Sequence, residues 1–283
     1  TELLLSALNV KDNLKLDFDA LSQIVDPFAE MQKAYDWGTN LPYMVSGGNC
    51  LPQKDVMEWM SKKTVSVNSI IRALNNQKVG IKDNEKLEKF NPNKKFTKAL
   101  IIGGGPSAVT HKDAIIEFVK SNKEDICIIH ASAKNAKVYQ NMSGIEQFFC
   151  LVGSEGYRLE SIFNNMENFK GLCILPSFPR KMGTYIPSLA KESCYELASD
   201  INVPLIDTHT AIAMEIAKEL NVKELFIIGY DGYVGANISS TEHKLFIQNQ
   251  QIFNAIKNDY KIISLVPTTY DLDSQSIYSY LIK

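Results

Sequence analysis

From residue 98 onward, apolar runs of strand length recur along the chain, at residues 99–102, 126–129, 148–152, 172–175, 203–206, 225–228 and 262–266. Amphipathic stretches of helical period separate several of them, at 114–119 and 211–220. In the second stretch Ile212, Ile216 and Leu220 fall on one face, with the small Ala213 and Ala217 beside them for close packing on a sheet. Continuous apolar strands alternating with such helices predict an α/β fold, a mostly parallel Rossmann-like sheet with helices on both faces. Ligands in that architecture sit beyond the carboxyl ends of the strands, so chemistry is sought there.

Residues 1–78 read as helices and turns without a strand pattern. Leu3, Leu4, Ala7 and Leu8 share a face, as do Leu21, Ile24, Val25 and Phe28. Residues 59–74 carry Val65, Val67, Ile70, Ile71 and Leu74, with Thr64 or Ser66 as the cap. So short a helical stretch makes a thin core, which predicts support from further chain or from a partner, a second copy of this chain included. The chain opens Thr1-Glu2-Leu3-Leu4-Leu5 inside an apolar helical pattern and without Met, and is read as a piece of a longer protein. Residues 79–97, rich in Lys, Asn, Asp and Glu around Asn91-Pro92-Asn93, read as a linker, leaving 98–283 as the ligand-binding domain.

Composition narrows the function classes. The 283 residues are 45% hydrophobic and 22% charged, with a net charge of −2. That balance leaves no basic surplus for counterion-releasing contacts with nucleic acid. No apolar run reaches the roughly 18–20 residues that span a bilayer, and none reads as a signal peptide. The five cysteines are widely spaced and form no C-x-x-C pair. Cys127, Cys150 and Cys173 lie in strand-like runs, so they read as buried thiols of a cytoplasmic protein.

The first strand runs into Gly103-Gly104-Gly105-Pro106-Ser107. Glycines let backbone approach a ligand closely, and successive N–H groups can then converge on a phosphate or carboxylate; the plainer alternative is a tight strand-to-helix turn. Gly103, Gly105 and Ala108 also fit G-x-G-x-x-A, the dinucleotide pattern. Against NAD, the second strand ends His130-Ala131-Ser132 where that pattern wants an acidic residue, and Thr110 with Asp113 forms a capping signature that starts the helix at His111. Beyond the fifth apolar run, Asp207, Thr208, His209 and Thr210 lead into a helix: Thr208 and Thr210 can cap it or face an anion, and Asp207 can accept from ligand hydroxyls. The sixth run ends Gly229-Tyr230-Asp231-Gly232, where Asp231 can contact ribose hydroxyls, a metal-bound diphosphate or a leaving group, or simply form a turn. His243 follows in a polar stretch and is the histidine placed for a closing loop to bring in as general base, with His130 and His209 also within reach of the site. No H-x-H, H-E-x-x-H or Cys/His cluster is present, so a metal held by the protein alone is not expected.

Two resemblances follow from these residues. Ile101-Ile102-Gly103-Gly104-Gly105-Pro106-Ser107, with Thr208, Ala213, Ile216 and Ala217 running into Leu225-Phe226-Ile227-Ile228-Gly229-Tyr230-Asp231-Gly232, resembles the MptE-like family of archaeal 6-hydroxymethylpterin pyrophosphokinases and bacterial motility accessory proteins linked to flagellin glycosylation. Bacterial sialyltransferases begin with a similar G-x-G-P-S. Gly104 departs from relatives that usually carry a polar residue there. The resemblance covers roughly residues 96–283 and implies binding of a nucleotide, nucleotide sugar or diphosphate, with Mg²⁺ brought by the ligand. Separately, Thr1-Glu2-Leu3-Leu4, Tyr35-Asp36-Trp37-Gly38-Thr39-Asn40-Leu41-Pro42-Tyr43 and Pro52 resemble the tail of an HMG-CoA lyase-like aldolase of the 4-hydroxy-2-oxovalerate aldolase type. Such lyases use an early-strand Asp and an H-x-H pair on a TIM barrel; neither is in this chain, so aldolase chemistry is not expected from it.

The leading reading is therefore a fragment of an aldolase-like protein carrying a nucleotide-binding, transferase-like Rossmann domain. Gly103, Gly104, Gly105, Ser107, Thr208 and Thr210 would hold phosphate oxygens at strand ends closed by Gly229 and Gly232. Asp207 and Asp231 would fix hydroxyls or a ligand-borne Mg²⁺, and His243 would act as base. The rival readings are a non-catalytic effector-binding module and an NAD-dependent enzyme.

Overall fold

The computed structural model describes residues 2–12, 15–35, 40–61, 67–78, 85–164, 169–178, 180, 184–198, 208–233 and 238–282. The chain divides into two compact units, Thr1–Leu74 and Asn75–Lys283. The first is helical, with α1 (Glu2–Asp12), α2 (Phe18–Tyr35), α3 (Leu41–Gly48), α4 (Lys54–Ser61) and α5 (Val67–Lys78). Asn40 starts α3 by accepting the Tyr43 N–H at 3.3 Å, with a proline in the first turn. The core is as thin as the sequence suggests. It rests on Val56, Trp59, Ile70 and Leu74, while Ile24 and Phe28 of α2 stay 63% and 55% exposed. The caps expected at Thr64 or Ser66 lie outside the described residues.

The second unit carries the sheet. Among the described residues its strands are β1 (Lys98–Ile102), β2 (Ile126–His130), β3 (Gln147–Cys150), β4 (Leu172–Leu175), β5 (Cys194–Glu196), β6 (Glu224–Ile228), β7 (Lys261–Ser264) and β8 (Asp273–Ser274). Every pairing is parallel, in the order β5-β4-β3-β2-β1-β6-β7-β8. The helices are α6 (Ser107–Thr110), α7 (Lys112–Ser121), α8 (Glu155–Ile162), α9 (His209–Glu219) and α10 (Ser240–Ile256). Successive strands step outward from β1 to β5, and the chain then returns to lay β6 on the other side of β1. That reversal is a topological switch point, where the loops leaving adjacent strands diverge and open a crevice.

Period-two alternation decides which side chain meets which layer. Ala99 and Ile101 pack with Ile212 and Ile216 of α9 and Phe253 of α10. Leu100 and Ile102 point the other way, against Ile115, Phe118 and Val119 of α7. Both faces are thus covered, which is why the strands read as unbroken apolar runs. Cys127, Cys150, Cys173 and Cys194 are buried free thiols within these strands, and Cys50 is exposed.

The strand expected at 203–206 lies outside the described residues. Elsewhere the architecture departs from the sequence reading in two places. β5 and β8, with three and two residues, are too short to show as apolar runs. Residues 85–97, read as linker, instead pack on the α/β unit. Phe90 and Phe96 are buried in the main core, the Phe90 N–H donates to the Glu196 carbonyl at 2.8 Å, and the Glu196 N–H donates to the Glu88 carbonyl at 2.9 Å. Two aromatic anchors outweigh the charged composition around them.

Candidate functional site

The loops leaving β1 and β6 cross at van der Waals distance, and this crossing explains most of their glycines. The Gly103 N–H donates to the Ile228 carbonyl and the Gly105 N–H to the Gly229 carbonyl, both at 2.8 Å. A Cβ on Gly103 would strike the Gly229 carbonyl oxygen, and one on Gly105 would strike the Asp231 carboxylate. Gly229 adopts φ +75° and Gly232 φ +81°, conformations that L side chains rarely adopt. Ser107 ties the two loops together: its N–H donates to Asp231 Oδ2 at 3.2 Å, and its Oγ accepts the Gly229 N–H at 3.0 Å. Asn135 Nδ2 donates to the carbonyls of Gly103 (3.3 Å) and Gly105 (3.0 Å), fixing the turn from below.

This allocation changes the reading of the turn. The N–H groups of Gly103, Gly105 and Ser107 are spent inside the protein, so the glycine run does not present a row of convergent donors. Gly104 differs, because its N–H has no acceptor among the described residues and an added Cβ would meet only ordinary contacts, the nearest being Ser132 Oγ at 3.7 Å. The glycine turn leads into a single helical turn, α6, and α7 then starts at Lys112 with His111 as its N-cap, close to the expected start. Thr110 does not cap it: its hydroxyl donates back to the Pro106 carbonyl at 3.2 Å.

Beyond these loops lies a cleft of about 490 Å³, within the range of small-molecule sites. It gathers Gly103, Gly104, Gly105, Thr208, Thr210, Gly229, Asp231 and Gly232 from the expected set, so residues from the first, fifth and sixth apolar segments do meet. Ser107 lies under the cleft rather than in its wall, and is buried. Thr208 is the N-cap of α9, its hydroxyl accepting the Ala211 N–H at 3.2 Å. Thr210 donates to Asn249 Oδ1 at 2.7 Å and, with its proton so used, accepts from the Tyr230 hydroxyl at 3.1 Å. Asn249 Nδ2 in turn donates to the Tyr270 hydroxyl at 3.1 Å. This chain of hydrogen bonds fastens α9, α10 and the end of β6 into one rigid wall. Asp207 lies outside the described residues.

His243 falls elsewhere. It sits exposed in the first turn of α10, a helix opened by the Ser239–Glu242 capping box, and is not among the residues lining the cleft. The expectation of a loop histidine swinging over the site is thus replaced by a histidine fixed on a helix. His130 does not reach the cleft either. It is fully buried, its Nε2 hydrogen-bonded to Gln147 Oε1 at 2.8 Å and its ring stacked on Phe149.

The cleft's two cationic side chains escaped the sequence reading. Lys134, after β2, and Arg158, on α8, line it, as does His209. Behind them sits Glu155, 4% exposed, at the start of α8. Its Oε1 accepts the Ala133 N–H at 2.7 Å and the Ser132 hydroxyl at 3.3 Å, and its Oε2 lies 3.0 Å from Arg158 Nη1 and 3.6 Å from His209 Nε2. Enclosure of the His209 ring lowers its pKa from the ordinary imidazole value, Glu155 opposing that shift and Arg158 adding to it. A Glu-x-x-Arg pair opening a helix is the one trace of this cluster in the sequence, and many exposed helices carry the same pair. Among the described residues no group of three or more His, Cys, Asp or Glu is placed to hold a metal ion, and no helix is long and apolar enough to cross a membrane.

No family model matches this sequence, and no curated protein matches it. Among solved structures, the structure of MAf glycosyltransferase from Magnetospirillum magneticum AMB-1 aligns with a TM-score of 0.49 at 15% identity, covering 85% of this chain and 43% of that one. The chain thus spans less than half of that protein's length. None of these comparisons supports the resemblance of the first 75 residues to an aldolase tail.

Proposed function

We propose that the α/β unit binds a small phosphorylated ligand, a nucleotide, nucleotide sugar or other diphosphate, in the cleft beyond β1 and β6. The observation that carries this reading is the placement of two long cationic side chains, Lys134 and Arg158, over a cleft at the switch point of a parallel sheet. Both nearby carboxylates are engaged by the protein itself: Asp231 accepts the Ser107 N–H, and Glu155 accepts the Ala133 N–H and pairs with Arg158. Negative charge on the ligand would therefore meet Lys134, Arg158, the Gly104 N–H and the start of α9, rather than the whole glycine turn. Tyr233, Gln248 and Tyr270 line the rest of the cleft and suit an uncharged, ring-bearing portion of the ligand.

The reaction class we read here is transfer of a group from a nucleotide-linked donor, since such chemistry asks mainly for positioning and charge stabilisation. Calorimetry with ADP, UDP and nucleotide sugars, with and without Mg²⁺, tests the binding. Saturable binding that inorganic pyrophosphate displaces, and that a Lys134→Ala/Arg158→Ala double variant loses, is expected. Absence of binding by all of these compounds would sink the reading.

A non-catalytic effector site is the second reading. It is favoured by the position of His243 off the cleft and by the structural engagement of Glu155 and Asp231. Ligand binding at full affinity with no release of product over long incubation would select it.

A further inference from the structure

The charge around the cleft is finely divided. Lys134 and Arg158 contribute two positive charges, and Asp231 and the backing Glu155 two negative ones, so the fixed formal charges cancel. Of the groups lining the cleft, His209 is the one of a type that titrates near neutral pH; Tyr230, Tyr233 and Tyr270 have their pKa values raised by burial and stay neutral there. His209 opens α9 with its side chain 40% exposed, yet its Nε2 atom is enclosed and has no hydrogen-bond partner among the described residues. That nitrogen points at Glu155 Oε2 from 3.6 Å, close enough for an ion pair and too far for a hydrogen bond.

Glu155 is the hub of this arrangement. It joins three separate segments: the Ser132–Ala133 turn after β2 through Oε1, and Arg158 and His209 through Oε2. Without a carboxylate between them, a guanidinium and an imidazolium on adjacent helices would repel one another. We propose that anion binding in the cleft is coupled to protonation of His209, with Glu155 as the positioning residue that holds Arg158 and His209 together as a paired clamp. This rests on the anion-binding reading above and goes beyond it by assigning the regulation of that site.

The groups facing His209 bear out the direction of the coupling. Glu155 and Arg158 face it from α8; Lys134 and Asp231 line the same cleft from the ends of β2 and β6; α10 contributes the uncharged Gln248 and Asn249. Cys150, near Glu155, stays a neutral thiol because burial pushes its pKa well up. In the ligand-free cleft, desolvation holds His209 toward the neutral form, with Glu155 opposing it and Arg158 adding to it. An anion brought beside Arg158 offsets that guanidinium's charge and attracts an imidazolium directly, so binding draws a proton onto the ring. Linkage then requires the converse, that protonation tightens anion binding by the same factor.

Sulfate is the appropriate probe, since its charge is constant between pH 5 and 8, roughly the range in which histidine titrates. In wild type, sulfate affinity should rise as pH falls across this range, by up to about tenfold per pH unit. Calorimetry in buffers of different ionisation enthalpy should register uptake of up to one proton per sulfate near pH 7. His209→Gln should lose both the pH dependence and the proton uptake. Glu155→Gln keeps an oxygen for the Ala133 N–H and sets an amide against Arg158 and His209. It should weaken sulfate binding about tenfold at pH 6 although it removes a negative charge; a merely repelling carboxylate would give tighter binding instead. Sulfate binding that is flat with pH in wild type, or pH dependence that survives in His209→Gln, overturns the coupling while leaving the anion site standing. Tighter binding by Glu155→Gln overturns the positioning role. No sulfate binding at any pH removes the coupling and the anion site together.

Discussion

The Asp231 carboxylate accepts the backbone N–H of Ser107 at 3.2 Å, across 124 residues of chain, and the Ser107 hydroxyl accepts the Gly229 N–H at 3.0 Å. These reciprocal bonds lace the loop after β1 to the loop after β6 and hold open the switch-point cleft. Asp231 therefore has a structural task before any task toward a ligand. Asp231→Ala should cost about 1–3 kcal/mol in urea unfolding, because a part-buried N–H loses its acceptor, whereas Asp231→Asn should recover most of that loss. Equal stability of wild type and Asp231→Ala would break the link between the two loops.

The glycines should separate sharply by position. Gly105→Ala places a Cβ on the Asp231 carboxylate and near the Gly229 carbonyl, so it should unfold the domain or leave it insoluble. Gly104→Ala meets nothing closer than 3.7 Å and should leave the melting temperature within a few degrees of wild type. Circular-dichroism melts of the two variants check this, and similar behaviour of both would contradict the close crossing.

Binding of phosphorylated ligands should weaken steeply with salt, because Lys134 and Arg158 are exposed long-chain cations. Lys134→Ala has no acidic partner to strand among the described residues, so it should weaken pyrophosphate binding several-fold with little change in stability. Arg158→Ala leaves Glu155 buried and short of a partner, and should lower both affinity and stability. Parallel titrations and urea melts distinguish the two patterns.

A buried ion pair closes the opposite edge of the sheet. Arg180 Nη2 donates to Glu196 Oε2 at 2.9 Å with both side chains fully buried, and the same oxygen accepts the Leu87 N–H at 3.2 Å. Arg180 Nη1 also donates to the Glu85 carbonyl at 2.6 Å, so the pair clasps residues 85–90 onto β5. Glu196→Gln should destabilise the domain by about 3–5 kcal/mol, since it strands the guanidinium in the interior. Protease cleavage near residues 85–90, absent in wild type, is the accompanying sign that the clasp has opened.

Acid sensitivity should trace in part to His130. Burial holds its pKa down to about 4, against about 6.5 for an unfolded histidine. Between those values the unfolded chain binds more protons than the folded one. His130's contribution is complete above about pH 6.5 and is lost as pH falls toward about 4, on the order of 3 kcal/mol in all. His130→Gln should flatten the decline of urea midpoints over that window; an unchanged slope would assign the acid sensitivity elsewhere.

What the sequence determined by itself was whatever is written in local periodicity. Unbroken apolar runs such as 126–129 and the Ile212–Ile216–Leu220 stripe specify parallel strands and covering helices, because each run must be buried on both faces and each stripe on one. The strand-end glycines were legible as a place of close backbone approach, to a ligand or within a tight turn, and only the fold shows that the other backbone belongs to the loop after β6. The tertiary structure decided how hydrogen bonds and charges are shared out. Whether the Gly105 N–H faces a ligand or the Gly229 carbonyl depends on the register of strands more than 100 residues apart. Only the folded chain brings Glu155, Arg158 and His209 from two helices to one cleft, because side-chain partners across a sheet edge follow from topology and leave no periodic mark on the sequence.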